Sequence, residues 1–136
     1  MGAVEVTVKL TNAVDEELVK RGLLNPGLLR TCEVIALVDT GSVRTVLPSK
    51  LIEQLGLSIR AKQMAQYADG REELVGVTGP VIIDIQGRET IESALMTGNT
   101  VLIGQTVLET LDLLVDCNKQ RLIPNPDHPT QSVLRI

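Results

Sequence analysis

Hydrophobic and polar residues alternate from the start of the chain. Val4, Val6, Val8 and Leu10 are separated by Glu5, Thr7 and Lys9. A period of two marks a strand with one face buried. Thr11-Asn12 closes it, and Asp15, Glu16 and Glu17 then precede Lys20, Arg21 and Gly22. Acid first, base last and glycine after predicts a short helix. Asn25-Pro26-Gly27 predicts a turn, and residues 11–30 read as a surface insertion between two strands. The pattern then changes. Val34-Ile35-Ala36-Leu37-Val38 is an unbroken apolar run inside a central strand over 31–39, as expected of a strand buried on both faces.

Beyond that run the punctuation is regular. Val46-Leu47 is apolar, Pro48 opens a helix through Leu51, Ile52 and Leu55, and Gly56 closes it. Residues 58–67 and 71–78 form a hairpin around Ala68-Asp69-Gly70; both arms are polar, so the hairpin projects from the core. Gly79-Pro80 breaks the chain. Val81, Ile83 and Ile85 alternate in the next strand, Gln86-Gly87-Arg88 turns, and 89–97 reads as one further strand. Val101-Leu102-Ile103-Gly104 is a second apolar strand ending in glycine, followed by a helix with Leu108 and Leu111 on one face. Leu113-Leu114-Val115 and Arg121-Leu122-Ile123 flank a turn, Pro124, Pro126 and Pro129 mark an extended tail, and residues 132–136 form a last strand. The result is an all-β domain, one unit over 1–136, with two short helices that each follow an apolar strand and a glycine turn. The units 34–56 and 101–112 echo one another in pattern.

Composition narrows the chemistry. The chain has no Trp or Phe and one Tyr, so an aliphatic core is required and the aromatic platforms for base stacking are missing. A net charge of −4 without a basic block argues against nucleic-acid binding. Two distant cysteines, Cys32 and Cys117, suggest neither a disulfide framework nor a metal site, and the single histidine, His128, lies in the Pro-rich tail. No metal and no cofactor are expected, and a Ser42 nucleophile would lack a histidine partner. No apolar run reaches membrane-spanning length and the N-terminus lacks signal-peptide character, so a cytoplasmic protein without membrane contact is expected.

One residue stands out. Asp39 ends the buried strand, where a carboxylate is costly unless hydrogen-bonded or put to use. Thr40 and Ser42 place hydroxyls beside it, and Gly41 permits a tight turn.

Taken in order, Ala36-Leu37-Val38-Asp39-Thr40-Gly41-Ser42, Thr45-Val46-Leu47-Pro48, the Asp69-Gly70 hairpin, Val101-Leu102-Ile103-Gly104 and the helix over Leu108–Leu111 resemble the retropepsin-like aspartic proteases. The resemblance covers residues 31–123 and is nearest to short bacterial or cyanobacterial members. It implies an acid-protease β-barrel with a flap hairpin, homodimeric, that hydrolyses peptide bonds. Two carboxylates would face one water; like charges this close do not both ionise easily, so one acts as general base and the other holds a proton. The chain carries one Asp-Thr-Gly, so each subunit would supply half a site. On this resemblance Asp39, Thr40 and Gly41 are catalytic, with Thr40 bonding across the two-fold axis, and Ser42 tunes the carboxylates. Asp69 and Gly70 at the flap tip would contact an extended peptide or protein substrate. Tyr67 would pack on that substrate or serve as a partly buried sheet residue. The N-terminal strand and the 132–136 tail are candidates for an interface sheet, or ordinary edge strands. Subsites lined by Val46, Val101 and Ile103 would favour small or aliphatic side chains. Two departures stand out: Val43 and Gln105 occupy the positions of an Asp–Arg pair usual in viral members, and the flap has only Gly70 at its tip. The competing reading is a non-proteolytic domain of the same fold used for dimerisation or peptide binding.

Overall fold

The computed structural model describes residues 3–136. The initial alternation becomes β1 (Glu5–Asn12), with Val8 and Leu10 fully buried. It pairs antiparallel with β2 (Thr31–Val38), Thr11 facing Thr31. The intervening residues are therefore an excursion that returns to the same ladder. They carry α1 (Ala13–Lys20) and a 3-10 turn over Pro26–Leu28. The excursion is not wholly superficial, because Asn12 and Asp15 are buried. The Asn12 side-chain oxygen caps α1 by accepting from the Asp15 amide at 3.0 Å, and its Nδ2 donates to the Leu55 carbonyl at 2.9 Å. Arg30 closes on Asp15 with Nε at 2.8 Å and Nη2 at 2.9 Å, which holds the Asp15 carboxyl below the usual carboxylate range.

The remaining elements are β3 (Val46–Leu47), α2 (Ser49–Leu55), β4 (Ile59–Gln66), β5 (Glu72–Thr78), β6 (Val81–Ile85), β7 (Arg88–Glu92), β8 (Leu95–Met96), β9 (Leu102–Ile103), α3 (Gln105–Leu111), β10 (Leu113–Asp116) and β11 (Arg121–Pro124). Nine strands form one curled sheet, a half-barrel, in the order β4-β5-β8-β3-β9-β2-β1-β6-β7. β10 and β11 make a separate two-stranded ribbon. Pro48 is the N-cap of α2, and Gly56 ends it at φ +64°, a left-handed conformation that glycine adopts without strain. The core is aliphatic: Leu10, Leu47, Leu55, Ile83, Ile85 and Ile103 are fully buried, each worth about 1.5–3 kcal/mol of transfer free energy. No helix among the described residues is long and apolar enough to cross a membrane.

Four expectations are corrected. Among the described residues there are three α-helices where the fold class counted two; the short helix expected after Asn12 forms as α1. Residues 89–97 form two strands. β7 pairs with β6, the chain then turns at Ser93-Ala94, and β8 pairs with β3 and β5. Ala94 is fully buried where it crosses and exchanges hydrogen bonds with Thr78. β1 is paired on both sides over Lys9–Thr11, with β2 and β6, so that half is no edge strand. Residues 132–136 form no strand.

Side-chain anchors hold the tail instead. The Asp112 carboxylate accepts from Asn125 Nδ2 at 3.0 Å, the Val133 amide at 3.1 Å and His128 Nδ1 at 2.6 Å. Donation by Asn125, then by Val133 and His128, holds the Asp112 carboxyl below its ordinary value against the opposing effect of desolvation. A depressed folded-state pKa stabilises the tail above the unfolded value, and that contribution is lost as pH falls through the folded value. The Val133 amide resonance is therefore expected to titrate with a midpoint below an ordinary aspartate's, about 3.9. Asp112→Asn removes that titration. A midpoint at or above the ordinary value would refute the anchor.

Candidate active site

Asp39 follows the last residue of β2 and is half-buried. Its backbone is already committed: the amide donates to the Ile103 carbonyl at 3.0 Å, continuing the parallel pairing of β2 with β9. Its carboxylate is held from the other side. Gly41 N donates to Asp39 Oδ1 at 3.0 Å, and a Cβ on Gly41 would lie 3.3 Å from that oxygen, so the missing side chain lets the amide approach. Ser42 N donates to the Asp39 carbonyl at 3.1 Å and completes a tight turn.

The turn is fastened to the second glycine motif. Gln105 N donates to Ser42 O at 2.8 Å and Thr106 N to Val43 O at 3.1 Å. Amides at the start of a helix have no intrahelical acceptor, so the carbonyls of the Asp39 turn satisfy α3 while α3 fixes the turn. Gly104 makes this possible. A Cβ there would meet Arg44 O at 2.6 Å and Ser42 O at 2.8 Å. The two apolar-strand-and-glycine units that echo one another in sequence are thus packed together.

Of the predicted site residues, Asp39, Thr40, Gly41 and Ser42 are brought together with residues 103–106. Thr40 is exposed and lines a groove of about 370 Å³ with Gln105, Leu108, Leu113, Leu114 and Val115. The Ser42 hydroxyl donates to the Arg44 carbonyl at 2.7 Å, so its one hydrogen is not directed at Asp39. Asp69 and Gly70 sit exposed at the tip of the β4–β5 hairpin, with Gly70 at φ +86° and Asp69 Oδ1 accepting from the Arg71 amide at 2.9 Å. Tyr67 is half-buried at the hairpin neck. Its hydroxyl lies 2.9 Å from both Glu73 Oε1 and Thr97 Oγ1, and the Arg71 guanidinium stands over its ring at 4.2 Å. Donation by Thr97 and Tyr67 holds the Glu73 carboxyl below its usual value. Among the described residues, no hydrogen bond joins 67–70 to 39–42.

Sequence reasoning missed the carboxylate behind the turn. Glu92 Oε1 accepts from Thr106 Oγ1 at 3.0 Å, Glu92 Oε2 lies 3.4 Å from the Thr45 amide, and Arg44 Nε is 3.9 Å away. The cause is the register: β7 turns its polar residues inward, because Arg88, Thr90 and Glu92 pair with the buried Ile85, Ile83 and Val81. Residues directly opposite in an antiparallel ladder share a face. Thr45 is itself fully buried, and its hydroxyl has no hydrogen-bond partner among the described residues. Removing an orphaned polar group of the same shape relieves its desolvation cost. Thr45→Val is expected to raise unfolding stability by about 1 kcal/mol in urea titrations; a clear loss would show that the hydroxyl is satisfied in solution. Among the described residues, no group of three His, Cys, Asp or Glu is placed to hold a metal ion.

A family model described as aspartyl protease matches residues 25–105. The chain belongs to that aspartyl protease family. The matched span contains β2, the Asp39 turn, the β4–β5 hairpin and Gly104, the parts from which this site is assembled. No curated protein matches the chain. For an aspartyl protease family member the position of the turn matters more than the size of a cavity. A larger groove, about 530 Å³ between α1, Pro80, Ile82 and Ile91, contains none of residues 39–42. Family membership and the mostly β half-barrel point to aspartic peptidase activity.

Proposed function

We propose that the protein is a retropepsin-like aspartic endopeptidase, a single domain over 1–136, whose site forms when two chains meet with Asp39 of each on the two-fold axis. The single observation that carries this reading is the Asp39 turn: the carboxylate of a half-buried residue, oriented by Gly41 N, on a turn whose Ser42 and Val43 carbonyls are held by the α3 amides. One such carboxylate is half of the machinery that peptide hydrolysis of this class requires. In the assembled pair one Asp39 accepts a proton from the water as it attacks the scissile carbonyl. The other, protonated, donates to the developing oxyanion and then assists the leaving amine.

The surroundings support a paired site. Thr40 is exposed beside Asp39, in a groove walled by Leu108, Leu113, Leu114 and Val115. Among the described residues β10 and β11 pair only with each other, so each has one edge without a strand partner. The interface in this reading forms at Thr40 and the β10–β11 ribbon rather than at the 132–136 tail. In this reading Thr40 bonds across the axis and Ser42 supports the turn through Arg44. The β4–β5 hairpin acts as the flap, with Asp69 and Gly70 at its tip and Tyr67 bracing its neck against Thr97. An extended peptide would pair its main chain with the flap.

The test is cleavage of denatured casein that depends on Asp39 and whose specific activity climbs with chain concentration as dimers form. A dimeric preparation that cleaves nothing at acidic or neutral pH would leave the peptide-binding or dimerisation reading.

A further inference from the structure

The inward-facing charges of β7 sit at opposite ends of α3. At the far end, Arg88 Nη1 donates to the Leu111 and Asp112 carbonyls at 3.0 and 3.1 Å, and Nη2 to the His128 carbonyl at 2.7 Å. At the near end, Glu92 accepts from Thr106 in the first turn of α3. A cation at a helix C-terminus and an anion at its N-terminus each match the field of the helix. Glu92 does more than brace α3, because the same carboxylate faces the Thr45 amide and the Arg44 guanidinium. Arg44 in turn donates to the Ser93 carbonyl at 2.7 Å. Two segments far apart in sequence, the turn at Arg44-Thr45 and the start of α3 at Thr106, therefore meet on the Glu92 side chain, which is 15% exposed.

We propose that Glu92 is a positioning residue for the Asp39 carboxylate, fixing the 39–45 turn against α3. Its position behind the turn accounts for Val43 and Gln105, which leave no charged pair at those two places. Arg44 and Glu92 supply one a single residue further along the turn and on another strand. Without Glu92 the turn keeps its main-chain bonds to Ile103, Gln105 and Thr106 and the Arg44 bond to Ser93, but loses the side-chain link that joins Thr45 and Arg44 to the first turn of α3. A carboxylate displaced by about 1 Å can cost about 100-fold in rate. Glu92 touches no reacting atom, so the loss falls on kcat rather than on KM.

The inference rests on the protease reading, so its test has two independent arms. In the kinetic arm, Glu92→Ala is expected to lower kcat about 10- to 100-fold with KM within about threefold. Glu92→Gln, which can still accept from Thr106, restores most of the rate. Arg88→Ala loosens the far end of α3 and lowers stability, yet leaves kcat per folded dimer unchanged. In the second arm, amide hydrogen exchange of wild type and Glu92→Ala is followed without substrate. Faster exchange confined to Thr45, Gln105 and Thr106 is the expected result, and it is readable even if the wild type cleaves nothing. The proposal is overturned if Glu92→Ala keeps wild-type kcat, if Arg88→Ala lowers kcat equally, or if exchange at those amides is unchanged.

Discussion

Asp39→Asn is expected to abolish cleavage of denatured casein and, mixed with wild-type chains, to remove more activity than its share of the mixture. The amide is nearly isosteric with the carboxylate and its oxygen can still accept from Gly41 N, which lies 3.0 Å from Asp39 Oδ1. The turn is therefore retained, along with its bonds to Ile103 and α3, and thermal stability changes little. What is lost is the base. General-base participation is worth about 10²–10⁴-fold, and a mixed pair holds one carboxylate where the reaction uses two. If the site forms only between two chains, an equal mixture retains about one quarter of the wild-type activity, because about one quarter of random pairs are wild type on both sides. Activity that falls linearly with the wild-type fraction would instead mean that one chain carries a complete site.

Gly104→Ala is expected to damage stability and activity together. The backbone there is extended, φ −92°, so the added methyl group causes no dihedral strain. The difficulty is space. The new carbon would meet Arg44 O at 2.6 Å, Arg44 C at 2.7 Å and Ser42 O at 2.8 Å. These are main-chain atoms that no rotamer change can move aside, so the 39–45 turn and the start of α3 must separate. Overpacking of this kind costs about 1–3 kcal/mol. Separation also lengthens the Gln105 and Thr106 amide bonds to Ser42 and Val43, which displaces Asp39 and costs about 100-fold in rate. Urea unfolding and cleavage by the folded fraction measure the two effects separately. A variant with wild-type midpoint and rate would show that the two units are not held together through this glycine.

The sequence announced those elements whose causes are local. Period-two alternation marked β1 and β6, Pro48 and Gly56 bounded α2, and Asp69-Gly70 set the β4–β5 hairpin. The Asp39 turn was legible because a carboxylate at the end of an apolar strand breaks the pattern around it. Contacts between residues distant in sequence carried no such mark. The break at Ser93-Ala94 arises because the chain must leave β6 and cross to β3 and β5, a demand set by the closure of the sheet. The tail anchors on Asp112, 13 to 21 residues before its partners, and no local pattern marks that contact. The direction of the Ser42 hydroxyl depends on the Arg44 carbonyl two residues on, and no pattern of residue types encodes it. Glu92 was obscured for a related reason. Its strand reads as polar, and only the register against Val81, Ile83 and Ile85 shows that the polar face looks inward.

The β10–β11 ribbon, whose β10 strand lines the groove beside Thr40, bears on how such an enzyme is kept in check. On the proposed reading a newly made chain is harmless to its neighbours, because it holds one carboxylate and no opposing one. The number of working sites then grows with the square of the number of chains while chains are scarce, and only in proportion once they are plentiful. Abundance itself becomes the switch: a modest rise in synthesis produces a disproportionate rise in proteolysis, and dilution reverses it.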